Sequence, residues 1–186
     1  METDLVIRAS SGDHGAFAEI VASLARRFHS VAYAILRDPS LAEDAAQAAM
    51  VSVWRDLPRL RDPDGFDAWS YRILLNACFG ESRRARWRGV ELPLDAPVAV
   101  TSDELHTVLD RDELERGFAR LSLEHRAVLV THYFMDLPSD EAADVLDIPL
   151  GTYKSRLHRA IAAMRSALEA DARPPVGLAG RAGVAR

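Results

Sequence analysis

Apolar residues recur at intervals of three and four along most of the chain, the period of amphipathic helices, and no stretch alternates strongly as a strand does. The pattern predicts a first helical unit from about Asp4 to Arg86. It opens with a short N-terminal helix, followed by helices over Asp13–Leu36, Ser40–Leu57 and Asp64–Arg84. Ser40 and Glu43 have the spacing of a capping box, so the second long helix is expected to start there. Asp38-Pro39 breaks the pattern before it, and Pro58, Pro63 and Gly65 break it afterwards. Residues 89–109 hold two prolines and several acids without helical period and read as a linker. A second unit follows, with helices over Asp110–Leu121, Ser122–Met135, Ser139–Leu146 and Leu150–Leu168, the third capped by Ser139. Residues 171–186, small and basic, are expected to be disordered. The expected fold is all-α. An N-terminal helical bundle over 1–88 and a C-terminal helix-turn-helix domain over 110–170 are joined by a flexible acidic linker.

Composition supports helices, since alanine, leucine and arginine are abundant and aromatics make up only 7%. The one cysteine, Cys78, excludes an internal disulfide and a cysteine-based zinc cluster. The first ten residues lack the basic and apolar regions of a secretory signal. The longest strongly uncharged run of the first half, Ala45 to Trp54, is about half a membrane span. A cytoplasmic protein with no membrane association is therefore expected. His14, His29, His106, His125, His132 and His158 are scattered, and no nucleophile, phosphate-loop or metal-ligand motif is present. Hence no catalytic residue, metal, cofactor or small-molecule substrate is expected.

The net charge of −5 argues against a nucleic-acid binder that uses its whole surface, but basic charge is concentrated locally. Arg83, Arg84, Arg86 and Arg88 form one cluster. Lys154, Arg156, His158, Arg159 and Arg165 form another, with no acid from Gly151 to Ala167. The second cluster lies in LPSDEAADVLDIPLGTYKSRLHRAIAAMRSAL, which reads as a helix, a tight turn at Asp147-Ile148-Pro149 and a second helix. On that second helix Tyr153, Leu157, Ala160, Ile161, Met164 and Leu168 form a buried stripe. The opposite face centres on Ser155 and Arg159, flanked by Thr152, Lys154, Arg156 and His158. A helix so placed fits the major groove, central residues reaching base edges and flanking cations holding phosphates.

The run Ile148-Pro149-Leu150-Gly151-Thr152-Tyr153-Lys154-Ser155-Arg156-Leu157-His158-Arg159-Ala160 resembles the recognition helix of extracytoplasmic-function (ECF) sigma factors, I-P-x-G-T-V-K-S-R-L-x-R-A. Tyr153 stands where that family has valine, on the buried face. Asp147 stands where glycine is common, and aspartate tolerates a left-handed backbone better than most residues. The resemblance implies that this domain reads the minus-thirty-five element through Thr152, Lys154, Ser155, Arg156, His158 and Arg159.

The first unit carries two further resemblances. Ser40-Leu41-Ala42-Glu43-Asp44-Ala45-Ala46-Gln47, with Trp54 seven residues on, is similar to the family helix that docks on the β′ clamp of RNA polymerase. Its inward face is Ala42, Ala45, Ala46, Ala49, Val53 and Leu57. Asp44, Gln47, Ala48, Val51 and Arg55 line the other side and are the expected core contacts. Ala48 and Met50 depart from the family's acid and phenylalanine. The stretch Phe66 to Asn76, followed by Arg83-Arg84, resembles the helix that melts and reads the minus-ten element. The resemblance implies contacts by Arg61, Asp62, Trp69, Arg72, Asn76, Arg83 and Arg84, with the loop Arg59–Gly65 at a flipped base. Plain core packing is the competing role for the Trp69 indole, and Gly80 stands where the family often has aspartate. By the same resemblance the partners are core RNA polymerase (β′ clamp and β flap), promoter DNA and an anti-sigma factor. The alternative is a stand-alone helix-turn-helix regulator that binds duplex operators by itself.

Overall fold

The chain is described by a computed structural model over residues 1–89 and 114–171. Among these residues every regular element is helical. Most of the linker, the start of the helix expected from Asp110, and residues 172–186 lie outside the described residues.

In the first unit α1 (Thr3–Ser10) leads into α2 (His14–Leu36). The Asp13 carboxylate caps α2, accepting from the Ala16 amide at 3.0 Å and pairing with Arg8 at 2.7 Å. The amide bond and Arg8 together hold that carboxyl below its ordinary range. Helix α2 ends at Arg37, which takes a left-handed φ of 59°. The chain then turns into α3 (Pro39–Asp56) within two residues. Here the structure corrects the expected capping box. The cap is Asp38, whose side chain accepts from the Leu41 amide at 2.9 Å, while Ser40 sits inside the first turn. Proline has no amide to satisfy and a helical φ, so it takes the first helical position and makes its predecessor the cap.

A 3-10 turn (Leu57–Arg59) follows α3, and α4 (Phe66–Trp87) completes the unit. Helix α4 begins two residues later than expected because the Asp64 amide is engaged by the Asp62 carboxylate at 3.1 Å, holding the loop in a turn. It runs unbroken through Gly80 and ends three residues beyond expectation, where Gly89 takes a φ of 69°. Helices α2, α3 and α4 pack together around Ile20, Phe28, Val31, Ile35, Val53, Leu74 and Leu75, all at most 1% exposed. The inward row Ala42, Ala45, Ala46 and Ala49 keeps α3 close to its neighbours. Each fully buried large apolar side chain contributes about 1.5–3 kcal/mol. Cys78 is fully buried in this core, and burial pushes its thiol up to about 12.

The second unit comprises a helical segment at 114–119, α5 (Leu123–Leu129), a π-turn (Val130–Phe134), α6 (Ser139–Val145) and α7 (Leu150–Asp171). Gly117 lets the first segment lie close to α7, since a Cβ there would come within 2.8 Å of Met164 Cε and make that side chain shift. The single helix expected over Ser122–Met135 is instead α5 plus the π-turn. Thr131 donates its hydroxyl back to the Val128 carbonyl at 3.0 Å, the Met135 amide reaches Val130, and Asp136 turns left-handed with φ 52°. Ser139 is the first residue of α6 and not its cap, because the Pro138 carbonyl accepts the Ala142 amide at 2.8 Å. The turn before α7 forms as expected, with Asp147 left-handed at φ 53°.

The two units touch. The helices α5 and α2 pack, as do α6 and α4. Arg37 lies 3.8 Å from Glu115 and stacks 5.1 Å above the Tyr33 ring. Arg126 of α5 is buried, its Nε finds no acceptor, and burial together with nearby Arg37 pushes its guanidinium down to about 10.

Candidate nucleic-acid and polymerase interfaces

Helix α7 is positioned by its buried side. Tyr153 and Ala160 are fully enclosed, and Leu157, Ile161, Met164 and Leu168 are half-buried beside them. The Tyr153 hydroxyl lies 3.4 Å from Thr131 Oγ1, fixing α7 against the π-turn, and burial raises its pKa. The opposite face is thereby turned to solvent. Lys154, Ser155, His158 and Arg159 are exposed, while Thr152 and Arg156 are half-buried at its edges. Arg159 folds back along the helix, donating from Nε to the Ser155 carbonyl at 3.2 Å. Ser155 and Arg159 thus form one polar pair at the centre of the face, with Lys154 and His158 beside it.

Helix α4 presents its own stripe. Trp69, Arg72, Asn76, Gly80 and Arg83 follow at spacings of three and four and so share a face. Arg72, Asn76 and Arg83 are exposed. Trp69 is half-buried, its ring 5.8 Å from Phe66, so the indole is in part a packing group. Gly80 meets nothing within 4 Å of an added Cβ, leaving the stripe open midway. Arg84 stands off this stripe, paired with the buried Glu81 carboxylate. Arg61 and Asp62 lie exposed in the loop before α4. Arg72 faces α6 across a cleft lined by Asp62, Asp64 and Asp67 on its own side and by Glu141 and Asp144 on the other.

On α3, Asp44, Gln47, Ala48, Val51 and Arg55 are all exposed, Val51 at 65%. Gln47 donates to Glu43 at 3.1 Å, and Arg55 is held by Asp56 at 2.8 Å. Trp54 flanks the face, its ring 4.4 Å from Phe17 and 5.3 Å from His14. The face is therefore a mixed one, with an apolar centre and charges at its ends.

Two surfaces escaped the sequence reading. One is an apolar groove on the second unit lined by Leu114, Phe118, Leu129, Tyr133, Ile161 and Met164. The π-turn creates it by pushing Tyr133 outward, and no regular period foretells such a turn. The other is Trp87 at the end of α4, which is 92% exposed between Arg86 and Arg88. Its phase with Arg83 and Asn76 was visible in the sequence. Among the described residues no group of three or more His, Cys, Asp or Glu is arranged to hold a metal, and no helix is long and apolar enough to cross a membrane.

Family comparisons cover both units. The model of Sigma-70 region 2 matches residues 20–88, and that of Sigma-70 region 4 matches residues 111–164. The ECF RNA polymerase sigma factor SigL of Mycobacterium tuberculosis is 35% identical over 71% of this chain and 77% of its own length. SigW of Bacillus subtilis, also an ECF sigma factor, is 27% identical over 87% of this chain and 93% of its own. Among solved structures the fold matches CnrH in complex with the cytosolic domain of CnrY, with a TM-score of 0.67 at 24% identity over 91% of this chain and 98% of that one. It also matches RpoE of Bartonella quintana in complex with the anti-sigma factor NepR, with a TM-score of 0.69 at 21% identity over 83% and 98%. A stand-alone helix-turn-helix regulator would leave the region 2 match unexplained. With a region 2 bundle, a region 4 helix-turn-helix and an ECF relative matched across both, this chain belongs to the extracytoplasmic-function sigma factors, which bind core RNA polymerase and direct it to promoters.

Proposed function

We propose that the exposed faces divide the work of this sigma factor. Helix α7 reads the minus-thirty-five element through Thr152, Lys154, Ser155, Arg156, His158 and Arg159. The loop before α4, with Arg61 and Asp62, the α4 stripe with Trp69, Arg72, Asn76 and Arg83, and Arg84 beside that stripe open and read the minus-ten element. Asp44, Gln47, Ala48, Val51 and Arg55 on α3 dock on the β′ clamp. The observation that carries the assignment is the α7 face: cations and hydroxyls without an acid from Gly151 to Ala167, displayed opposite a buried Tyr153–Ala160 stripe just after a left-handed turn.

The apolar groove beside Tyr133 suits an apolar helix, and we assign it to the β flap of the polymerase. The two solved relatives are held by partner proteins, one of them an anti-sigma factor, which supports an anti-sigma partner here as well. The working domains are residues 1–88 and 110–170 with a linker at 89–109, and the chain acts in the cytoplasm without catalysis, cofactor or small-molecule substrate.

Transcription in vitro with core polymerase over a promoter library tests the division. Exchanging residues 59–65 with those of another ECF factor should move the minus-ten preference alone, and Lys154→Ala or Arg159→Ala should weaken use of the upstream element alone. An unchanged promoter profile in all three would reject the assignment.

A further inference from the structure

Trp87 is 92% exposed, whereas Trp54 is 42% exposed and Trp69 half-buried. The indole of Trp87 stands clear of the core, flanked in sequence by Arg86 and Arg88. It sits four residues after Arg83 and so continues the stripe of Trp69, Arg72, Asn76 and Arg83 by one further turn. It is not on a frayed end. The Arg88 amide bonds back to the Arg84 carbonyl at 3.1 Å, the Gly89 amide to Arg86 at 3.1 Å, and the left-handed Gly89 closes the helix. Around it Arg83, Arg86 and Arg88 are all exposed. An exposed flat ring among cations matches the chemistry of a nucleobase with its phosphates.

Length places the contact. From Trp69 to Trp87 is 18 residues, about 27 Å of helix at 1.5 Å per residue. Trp87 therefore lies at the far end of the stripe from the loop at 59–65.

We propose that Trp87 is a promoter-contacting residue that stacks on a nucleobase at the far end of the α4 stripe, while Arg83, Arg86 and Arg88 hold the adjoining phosphates. This rests on the reading of α4 as the minus-ten helix. The contribution of Trp87 tolerates any base, because every base offers a ring face.

The test uses holoenzyme reconstituted from core polymerase and full-length variants. The probe is a forked DNA whose minus-ten sequence was selected by the wild-type holoenzyme from a randomised library. Trp87→Ala should weaken fork binding by about fivefold or more, Trp87→Phe should restore most of it, and both should leave core affinity and the thermal midpoint of the free chain unchanged. Wild-type fork affinity for Trp87→Ala, with Asn76→Ala weakened, would overturn this proposal and leave the reading of α4 intact. Unchanged binding for both variants would reject the reading of α4, and this proposal with it. A loss explained by reduced core affinity or a lowered thermal midpoint would assign Trp87 to a protein contact and also overturn the proposal.

Discussion

At the residue scale, two buried groups have consequences that solution chemistry can read. Cys78 is fully buried and its thiol is pushed up to about 12, so it stays protonated and shielded at physiological pH. A raised pKa means that its contribution to stability is present below the ordinary value of 9 and is lost as the pH rises through about 12. Thiol reagents at pH 8 are expected to leave the native chain unmodified and to label it only after unfolding. Arg126 shows the opposite case. Its pKa is pushed down to about 10 by burial and by Arg37, so holding it charged at pH 7 is a cost, relieved only as the pH climbs through about 10. Arg126→Met should leave the thermal midpoint at pH 7 unchanged or higher, with the gap to the parent shrinking above pH 10. A fall of several degrees, followed by circular dichroism, would mean that the attraction of nearby Glu124 outweighs the cost of burial. Arg159 belongs to this scale as well. Its removal should cost about 1–3 kcal/mol at one base pair if it reads a base edge, and should act equally on all sequences if it holds a phosphate.

At the scale of elements, helix starts and turns decide which face each helix shows. Asp38→Ala should destabilise the first unit by about 1 kcal/mol through loss of the α3 cap, whereas Ser40→Ala should change little. Urea unfolding of the two variants separates the two capping schemes. The sequence contained both candidates. What selected Asp38 was Pro39, whose fitness for the first helical position outweighs the S-x-x-E spacing. Most of the architecture was legible in the same way. The inward row from Ala42 to Leu57, the Asp13 start of α2 and the left-handed Asp147 all follow from local periodicity and side-chain chemistry. The π-turn was not legible, because the Thr131 back-bond and the Tyr153 hydroxyl that lies beside it come from elements 22 residues apart. Trp87 was passed over because the predicted helix ended at Arg84, leaving its phase unread. The contact of Arg37 with Glu115 was also invisible, since long-range pairing leaves no period in a sequence.

At the scale of the whole molecule, the packing of the two units sets a condition on function. The acidic residues Glu141 and Asp144 of α6 face Arg72 across a cleft, so the second unit stands beside the start of the α4 stripe. The distance between the promoter elements adds a stronger constraint. About 25 base pairs separate minus-thirty-five from minus-ten, or roughly 85 Å of duplex at 3.4 Å per base pair. A chain of 186 residues folded as one body has a radius of gyration of about 16 Å. Both elements of a straight promoter can therefore be held only if the units part. Residues 90–113 provide a covalent reach of about 80 Å, which suffices once the helices themselves are added. Fluorophores at Ser23→Cys and Ser166→Cys, both exposed positions, should show strong energy transfer in the free chain and lose it on binding core polymerase. Buried Cys78 would not compete for label. Unchanged transfer in the holoenzyme would contradict the opening.

The account stands or falls on core dependence. A gel-shift and transcription assay on one promoter fragment, with chain alone, core alone and both together, addresses it directly. Specific binding and initiation should appear only when chain and core are combined. Tight, sequence-specific binding of the duplex by the chain alone, or no effect of the chain on what core polymerase transcribes, would contradict it.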